Sequence, residues 1–284
     1  MRNEAAKYDL AVAYRIYPGM AKAALGLPFS GDKYRLAEAC LRSFRNSLGT
    51  LRARIWVLLD GCPPAYAELF HKYFADEDLV LLRLPGIGNQ GTFLQQIEIL
   101  SNQEDAQLVY FAEDDYFYLP GQFHLMTNFM KTFPEMQFIT PYDHLDCYTL
   151  DLHRKPKWLR VHAGHHWRTA ASTCLTFLTS KETLQQTAGI FRTYARKNFD
   201  CSIWLSLTKQ SVLRPLDFCR WVLREPLFAK ITLRAWWFGW AQILFGKRHK
   251  LWVPVPGIAT HLNAEALSPS IDWLARMSED EPPL

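Results

Sequence analysis

The sequence predicts an α/β protein with a Rossmann-like, mainly parallel sheet flanked by helices. Three observations carry that expectation. Apolar runs of strand length alternate with one-sided helical segments from Leu10 to Ala112, several of those runs are apolar throughout, as strands buried on both faces are, and they end at Gly, Pro or acidic residues. At 49% hydrophobic and 21% charged, the 284 residues match a folded chain with a full core rather than a disordered one. One large domain is expected, with residues 1–118 as a βαβ half and 119–284 as its second half.

Residues 10–16 read as a first strand that stops at Pro18-Gly19. Leu36, Ala37, Cys40, Leu41, Phe44 and Leu48 then share one face of a helix ended by Gly49. Residues 55–59 form a second strand running into Asp60-Gly61, and Pro63-Pro64 opens a helix with Tyr66, Leu69, Phe70 and Tyr73 on one stripe. A third strand, 79–84, is closed by Pro85-Gly86. Thr92-Phe93-Leu94-Gln95 has the form of a capping box for a helix bearing Phe93, Ile97 and Leu100, and residues 108–112 are the fourth strand. Such alternation implies right-handed crossovers, with ligands held beyond the carboxyl ends of the strands, where Arg15, Asp60, Asn89 and Glu113 to Asp115 stand.

Beyond Tyr118 the rhythm loosens into a helix at about 119–133, a strand at 136–140 and a polar, aromatic stretch to Thr169 suited to an acceptor region. A strand at 172–178 and helices at 182–194 and 202–208 follow. Residues 228–245 are rich in Trp, Phe, Leu and Ile and are followed by Lys247, Arg248 and Lys250, but Lys230 and Arg234 interrupt the run, which falls short of the roughly 20 clean apolar residues of a spanning helix. Two readings stay open: an interfacial helix giving peripheral membrane contact through 228–250, or a helix or strand packed on the core.

A net charge of +4 without a basic cluster interleaved with stacking aromatics is too weak a bias to claim a nucleic-acid partner, and none is expected. The first residues contain no continuous apolar h-region, which predicts a cytoplasmic protein, or one at the inner face of the membrane. The six cysteines form no CxxC and read as reduced thiols.

Glu113-Asp114-Asp115 emerges directly from the fourth strand, and three adjacent carboxylates there need a counter-charge. A hard cation, Mn²⁺ or Mg²⁺, meets that need with one or two carboxylates, while phosphates and water complete its shell. His162, His165 and His166 with Asp143 have no established zinc-ligand geometry, and read instead as loop histidines near an acceptor.

Leu59-Asp60-Gly61, then Gly88-Asn89-Gln90-Gly91, then Tyr110-Phe111-Ala112-Glu113-Asp114-Asp115 recur in the order used by GT-A glycosyltransferases, which this chain resembles over about 9–118, with weaker echoes to about 262. The family's acidic motif is usually DxD; Glu stands first here, as in some N-acetylglucosaminyltransferases of that fold. The resemblance implies a nucleotide-sugar donor, UDP- or GDP-linked, and a glycan or lipid-linked glycan acceptor. It makes Asp115 a metal ligand, and has Glu113 or Asp114 face the ribose or complete the metal shell. Asp60 would meet the nucleobase, Tyr14 and Arg15 would border the nucleotide pocket with Asn89 nearby, and His261 would complete the metal shell. Asp200, in Asn198-Phe199-Asp200-Cys201 ahead of an apolar helix, matches the family's general base in place, although the usual Glu-Asp pair is absent; as an Asp it is also a favoured N-cap. Asp143 and Asp146 are the rival bases. Inversion is preferred to retention. Two other classes remain: a nucleotidyltransferase that makes the nucleotide-sugar, although the span from Pro18 to Gly31 holds only Lys22 as a cation, and a binding protein that has lost catalysis.

Overall fold

The computed structural model of the chain describes residues 7–20, 24, 26–29, 31–153 and 157–279; Lys22 lies outside them. Its first half runs β1 (Leu10–Ile16), α1 (Lys33–Leu48), β2 (Ala53–Asp60), α2 (Ala65–Tyr73), β3 (Leu79–Leu84), α3 (Gly88–Asn102) and β4 (Leu108–Glu113). The four strands pair in parallel in the order β3-β2-β1-β4. Side chains alternate across β1. Leu10, Val12, Tyr14 and Ile16 pack with Leu41, Phe44, Leu69 and Phe70 of α1 and α2, whereas Ala11 and Ala13 pack with Phe93, Ile97 and Leu100 of α3. Both faces of β1 are therefore covered, which is why it reads as apolar but for Arg15.

The second half comprises β5 (Tyr116–Tyr118), α4 (Phe123–Thr132), β6 (Phe138–Ile139), α5 (Asp146–Thr149), β7 (Leu159–His162), β8 (His165–Ala170), β9 (Phe177–Ser180), α6 (Lys181–Phe191), α7 (Asp200–Thr208), α8 (Pro215–Arg224), α9 (Pro226–Leu244), β10 (Leu251–Val255), β11 (Ala259–His261) and α10 (Trp273–Glu279). β9 inserts antiparallel between β4 and β6, and the nine-stranded sheet continues through β10 and β8 to β7. Only β9 and β8 run against the other seven strands, so the mainly parallel α/β class expected from sequence is the one observed. A small second sheet pairs β11 antiparallel with β5.

Several expectations shift. The capping box at Thr92 is overturned: α3 begins one turn earlier, and the Thr92 hydroxyl bonds back to the Gly88 carbonyl at 3.0 Å inside the helix. Residues 116–118 form β5, so the helix expected from 119 starts at Phe123, and the strand expected at 172–178 starts only at Phe177. The stretch to Thr169 contains the β7–β8 hairpin. α8 has no counterpart in the sequence reading, because Leu216, Val222 and Leu223 point outward and only Trp221, with Phe218 half-buried beside it, faces the core.

α9 answers both readings of the tryptophan-rich run. Phe228, Ala229, Ile231, Ala235 and Ile243 are buried, and Ser202 and Ser206 of α7 donate to the Ile231 and Ala235 carbonyls at 2.9 and 3.2 Å. The helix kinks at Gly239, where a Cβ would lie 2.4 Å from Ser206 Oγ; no larger residue fits that crossing unchanged. On its other side Trp237 is 78% exposed and Trp240 55%. No helix among the described residues is long and apolar enough to cross a membrane.

Candidate active site

The sheet winds from β1 to β2 and β3 on one side and returns to β4 on the other, so the chain reverses between β1 and β4. Crevices for ligands open at such switch points. Here a cleft of about 500 Å³ lies at the carboxyl ends of the strands, walled by Arg15, Lys33, Asp60, Asn89 and the triplet Glu113-Asp114-Asp115. Beneath it Gln96 of α3, fully buried, donates to the carbonyls of Ala13 and Ala112 at 2.7 and 3.0 Å and fixes the spacing of the two strands.

Each carboxylate of the triplet meets a cation of the protein. Arg15 forms a buried ion pair with Glu113, and also donates to the Asn89 carbonyl at 3.0 Å; the second Glu113 oxygen accepts from Thr176 at 2.7 Å. Asn89 in turn donates to Tyr194 at 3.1 Å. Lys33, the first residue of α1, lies 2.8 Å from Asp114, which also accepts from the Tyr17 N–H at 3.1 Å. Burial raises the Asp114 carboxyl, with Lys33 pulling the other way. Asp115 lies 3.1 Å from His261, which β11 delivers by pairing with β5. Burial opposes both charges of that pair, but attraction prevails. Asp115 is held at about 2 by His261, Lys33 and Arg15, and His261 is lifted to about 9 by Asp115, then Glu113 and Asp200.

The donor set fits a hard cation in part. Asp115 Oδ1 is buried with no hydrogen-bond partner, and the His261 imidazole lies beside the same carboxylate. An orphaned anionic oxygen beside an imidazole fits a cation whose remaining positions are filled by phosphates and water, provided that His261 releases the proton it holds against Asp115 as the cation enters. Glu113 and Asp114 are already engaged, and no group of three or more His, Cys, Asp and Glu forms a ready metal cage among the described residues.

Asp200, in the first turn of α7, lies within the field of Glu113 and His261. Burial raises its carboxyl and Glu113 adds to the shift, while the Cys201 N–H, at 2.6 Å, opposes it. Asp200 accepts from that adjacent amide, while the N-cap position belongs to Phe199. The structure thus brings Arg15, Asn89, Glu113, Asp114 and Asp115 to the cleft wall and sets His261 against Asp115, while Asp200 stands outside that wall, within the field of Glu113 and His261.

Other candidates fall elsewhere. Tyr14 does not border the cleft: it is 1% exposed, wedged edge-on against Phe70 and tilted on Phe44, because alternation along β1 turns it away from Arg15. Asp60 lines the cleft, but its two oxygens accept from the Ile87 and Gly88 N–H groups at 2.7 and 2.8 Å, clamping the loop that starts α3. With 2% exposure it caps a helix terminus instead of presenting a free carboxylate to a nucleobase. Asp143, 1% exposed, is locked to Arg168 and accepts from the Tyr148 hydroxyl at 2.6 Å, which removes it as a base. Asp146 lies 3.6 Å from His144 at the start of α5. His162 and His165 close the β7–β8 hairpin at the sheet edge, and His162 packs on Phe129 and Phe133.

The sequence reading missed Lys33, Gln96, Thr176 and Tyr194. For Lys33 a signal existed: a cation directly after Asp32, a strong N-cap whose carboxylate accepts from the Tyr34 N–H at 2.9 Å.

No family model matches the chain, and no curated protein is similar to it in sequence. Solved structures show distant likenesses. A galactosyltransferase in complex with donor and acceptor sugar analogues is 10% identical, covering 96% of this chain and 97% of its own, with a TM-score of 0.47. TarS residues 1–349 from S. aureus is 11% identical over 66% of this chain and 55% of its own (TM-score 0.42). The 4-diphosphocytidyl-2C-methyl-D-erythritol synthase of Anaerococcus prevotii is 8% identical over 72% and 84% (TM-score 0.39). With TM-scores this low, the fold rests on strand order and register.

Proposed function

We propose that the chain is a metal-dependent glycosyltransferase moving a hexosyl or N-acetylhexosaminyl group from a UDP- or GDP-sugar to a glycan or lipid-linked glycan, with inversion. The observation that carries this reading is the cleft at the β1–β4 switch point, where two buried cations, Arg15 and Lys33, face three consecutive carboxylates and Asp115 keeps one buried oxygen unpartnered.

In this reading Asp115 and His261 would hold Mn²⁺ or Mg²⁺, which when bound would supply Lewis-acid neutralisation of the diphosphate. Arg15 and Lys33 orient that diphosphate and offset the charge that grows on its β-phosphate as the bond to the sugar breaks. Asp200 takes the proton of the acceptor hydroxyl while the acceptor oxygen bonds to the anomeric carbon and the electron pair of the breaking bond leaves on the diphosphate. The raised carboxyl of Asp200 makes it a stronger base than an exposed aspartate. The exposed tryptophans of α9 support a membrane-borne acceptor.

Nucleotidyl transfer is the second reading, favoured by Lys33, a cation just beyond the loop from Pro18 to Gly31 that stands at a helix N-terminus in the cleft. Both are tested by incubating the protein and Mn²⁺ with a panel of nucleotide-sugars. Release of nucleoside diphosphate, abolished in Asp115→Ala while the fold persists, supports glycosyl transfer. Release of pyrophosphate from a nucleoside triphosphate and a sugar phosphate instead supports the second reading.

A further inference from the structure

Outside the cleft the structure holds a second concavity, of about 600 Å³, walled by Lys157, Lys209, Arg214 and Arg248. No acidic side chain lines it. Lys157, Lys209 and Arg248 each donate to a backbone carbonyl, of Cys147, Gly246 and Thr208, at 2.8, 2.6 and 2.9 Å; these bonds aim the cations without neutralising them. Ser211, 5% exposed, is a further wall, and its hydroxyl has no hydrogen-bond partner. Lys209 and Ser211 both adopt positive φ, 53° and 63°, a conformation that costs a non-glycine residue energy and holds this turn in shape. Four cations and a spare hydroxyl without a carboxylate make an anion site.

What adjoins the pocket narrows the kind of anion. Trp236 donates its indole N–H to the carbonyl of Val212 at 2.9 Å, and Val212 stands between Ser211 and the exposed Leu213 of the pocket wall. On its other side Trp236 lines an apolar groove of about 760 Å³ with Leu233, Trp237 and Trp240. Leu216 and Leu223 of the neighbouring α8 are 84% and 85% exposed. Apolar exposure clustered on this scale marks an interaction surface.

We propose that Lys157, Lys209, Arg214 and Arg248 form a phosphate pocket for the headgroup of an anionic phospholipid, and that the protein docks on an anionic bilayer with the tryptophan groove of α9 against the acyl region. A free phosphate would satisfy the cations but leave the groove uncovered. A single-stranded nucleic acid calls for successive aromatics along the basic track itself; the pocket wall carries one, Trp158, while Trp236, Trp237 and Trp240 lie in the separate groove with Leu233 and the stems of Lys230 and Arg234. A bilayer satisfies both surfaces, with indoles at headgroup depth and cations on lipid phosphates. The inference stands on this surface alone and holds whether or not the cleft transfers sugar.

The test is co-sedimentation of the whole protein with vesicles of phosphatidylcholine alone or mixed with phosphatidylglycerol, at low and high salt. Calorimetry with inorganic phosphate and a fluorescent single-stranded oligonucleotide run in parallel. Binding is expected to the anionic vesicles only, and to weaken with salt. Arg214→Glu reverses the charge of a guanidinium that makes no hydrogen bond or ion pair among the described residues. It should lower vesicle affinity roughly tenfold or more, since each cation near an anionic surface contributes about 1 kcal/mol. Trp237→Ser/Trp240→Ser should lose vesicle binding while keeping phosphate binding, and that retained binding shows the pocket is still folded. Equal binding to both vesicle types, an unaffected Arg214→Glu, or phosphate or oligonucleotide binding without vesicle binding each overturns the proposal.

Discussion

Arg15 and Glu113 are register partners on the adjacent parallel strands β1 and β4, and their side chains join in a buried ion pair across the point where the sheet reverses its winding. The pair does two things at once. It neutralises the first carboxylate of the triplet, and it sets a guanidinium against Asn89 at the start of α3.

Breaking the pair from one side strands a buried charge. Arg15→Met should lower the unfolding free energy by about 3–5 kcal/mol in denaturant titrations, while Arg15→Met/Glu113→Leu should recover most of that loss. A double variant as weak as the single would assign the cost to lost packing, including the contact of Arg15 with Phe93.

Lys33 is placed to exchange Asp114 for a phosphate. Lys33→Ala should weaken nucleoside diphosphate binding about tenfold in calorimetry, with a smaller salt dependence than the wild type, and Lys33→Arg should restore part of it. Unchanged affinity would leave Lys33 as a partner of Asp114 and nothing more.

Asp200 and Asp143 separate catalysis from architecture. Asp200→Asn should keep donor affinity while kcat falls by about 10²–10⁴, with stability nearly unchanged. Asp143→Asn should instead lose about 3–5 kcal/mol of stability, because Arg168 is left buried without its counter-charge, and the folded fraction should retain its turnover. The reverse pattern, a dead but stable Asp143→Asn, would reassign the base. Product anomericity by NMR checks inversion independently.

Acid should find two buried imidazoles. Burial lowers His249 to about 4 and His153 to about 3, with nearby cations adding to each shift. The unfolded chain takes up these protons near pH 6.5 and the folded protein only well below it. The stability that the two contribute is therefore complete above pH 6.5 and lost as pH falls toward 4 and then 3. His249 packs against Phe138, and its Nδ1 has no partner. His249→Phe should flatten the acid limb of the melting curve, by on the order of 2 kcal/mol between pH 6.5 and 4. A limb as steep as that of the wild type would clear this residue.

The first half of the fold was legible because burial writes the central strands as mostly apolar runs, unbroken at 55–59 and 108–112, and α1 and α2 each turn a single apolar stripe to them. Much of what the sequence hid depends on partners far along the chain. α3 starts at Gly88 because Asp60, on another strand, supplies its cap, so the local Thr92 pattern misleads. Asp143 has a base's chemistry, but Arg168 claims it across the second half of the sheet. Lys33 becomes part of the site only when α1 brings it to Asp114. α8 was hidden for the opposite reason: Leu216, Val222 and Leu223 face outward, and only Trp221, with Phe218 half-buried beside it, turns inward. The triplet itself was legible, since its place at the end of β4 is a matter of local pattern alone.

His261 reaches Asp115 from 146 residues further along the chain, carried by β11 onto β5. During synthesis the acidic triplet therefore leaves the ribosome long before its imidazole partner exists, and so does the Rossmann-like half around it, whose contacts are more local. A nascent chain halted before β11 would hold a formed crevice that lacks half of its proposed cation-binding pair. Completion of the cleft would then come late, as a closing step of folding.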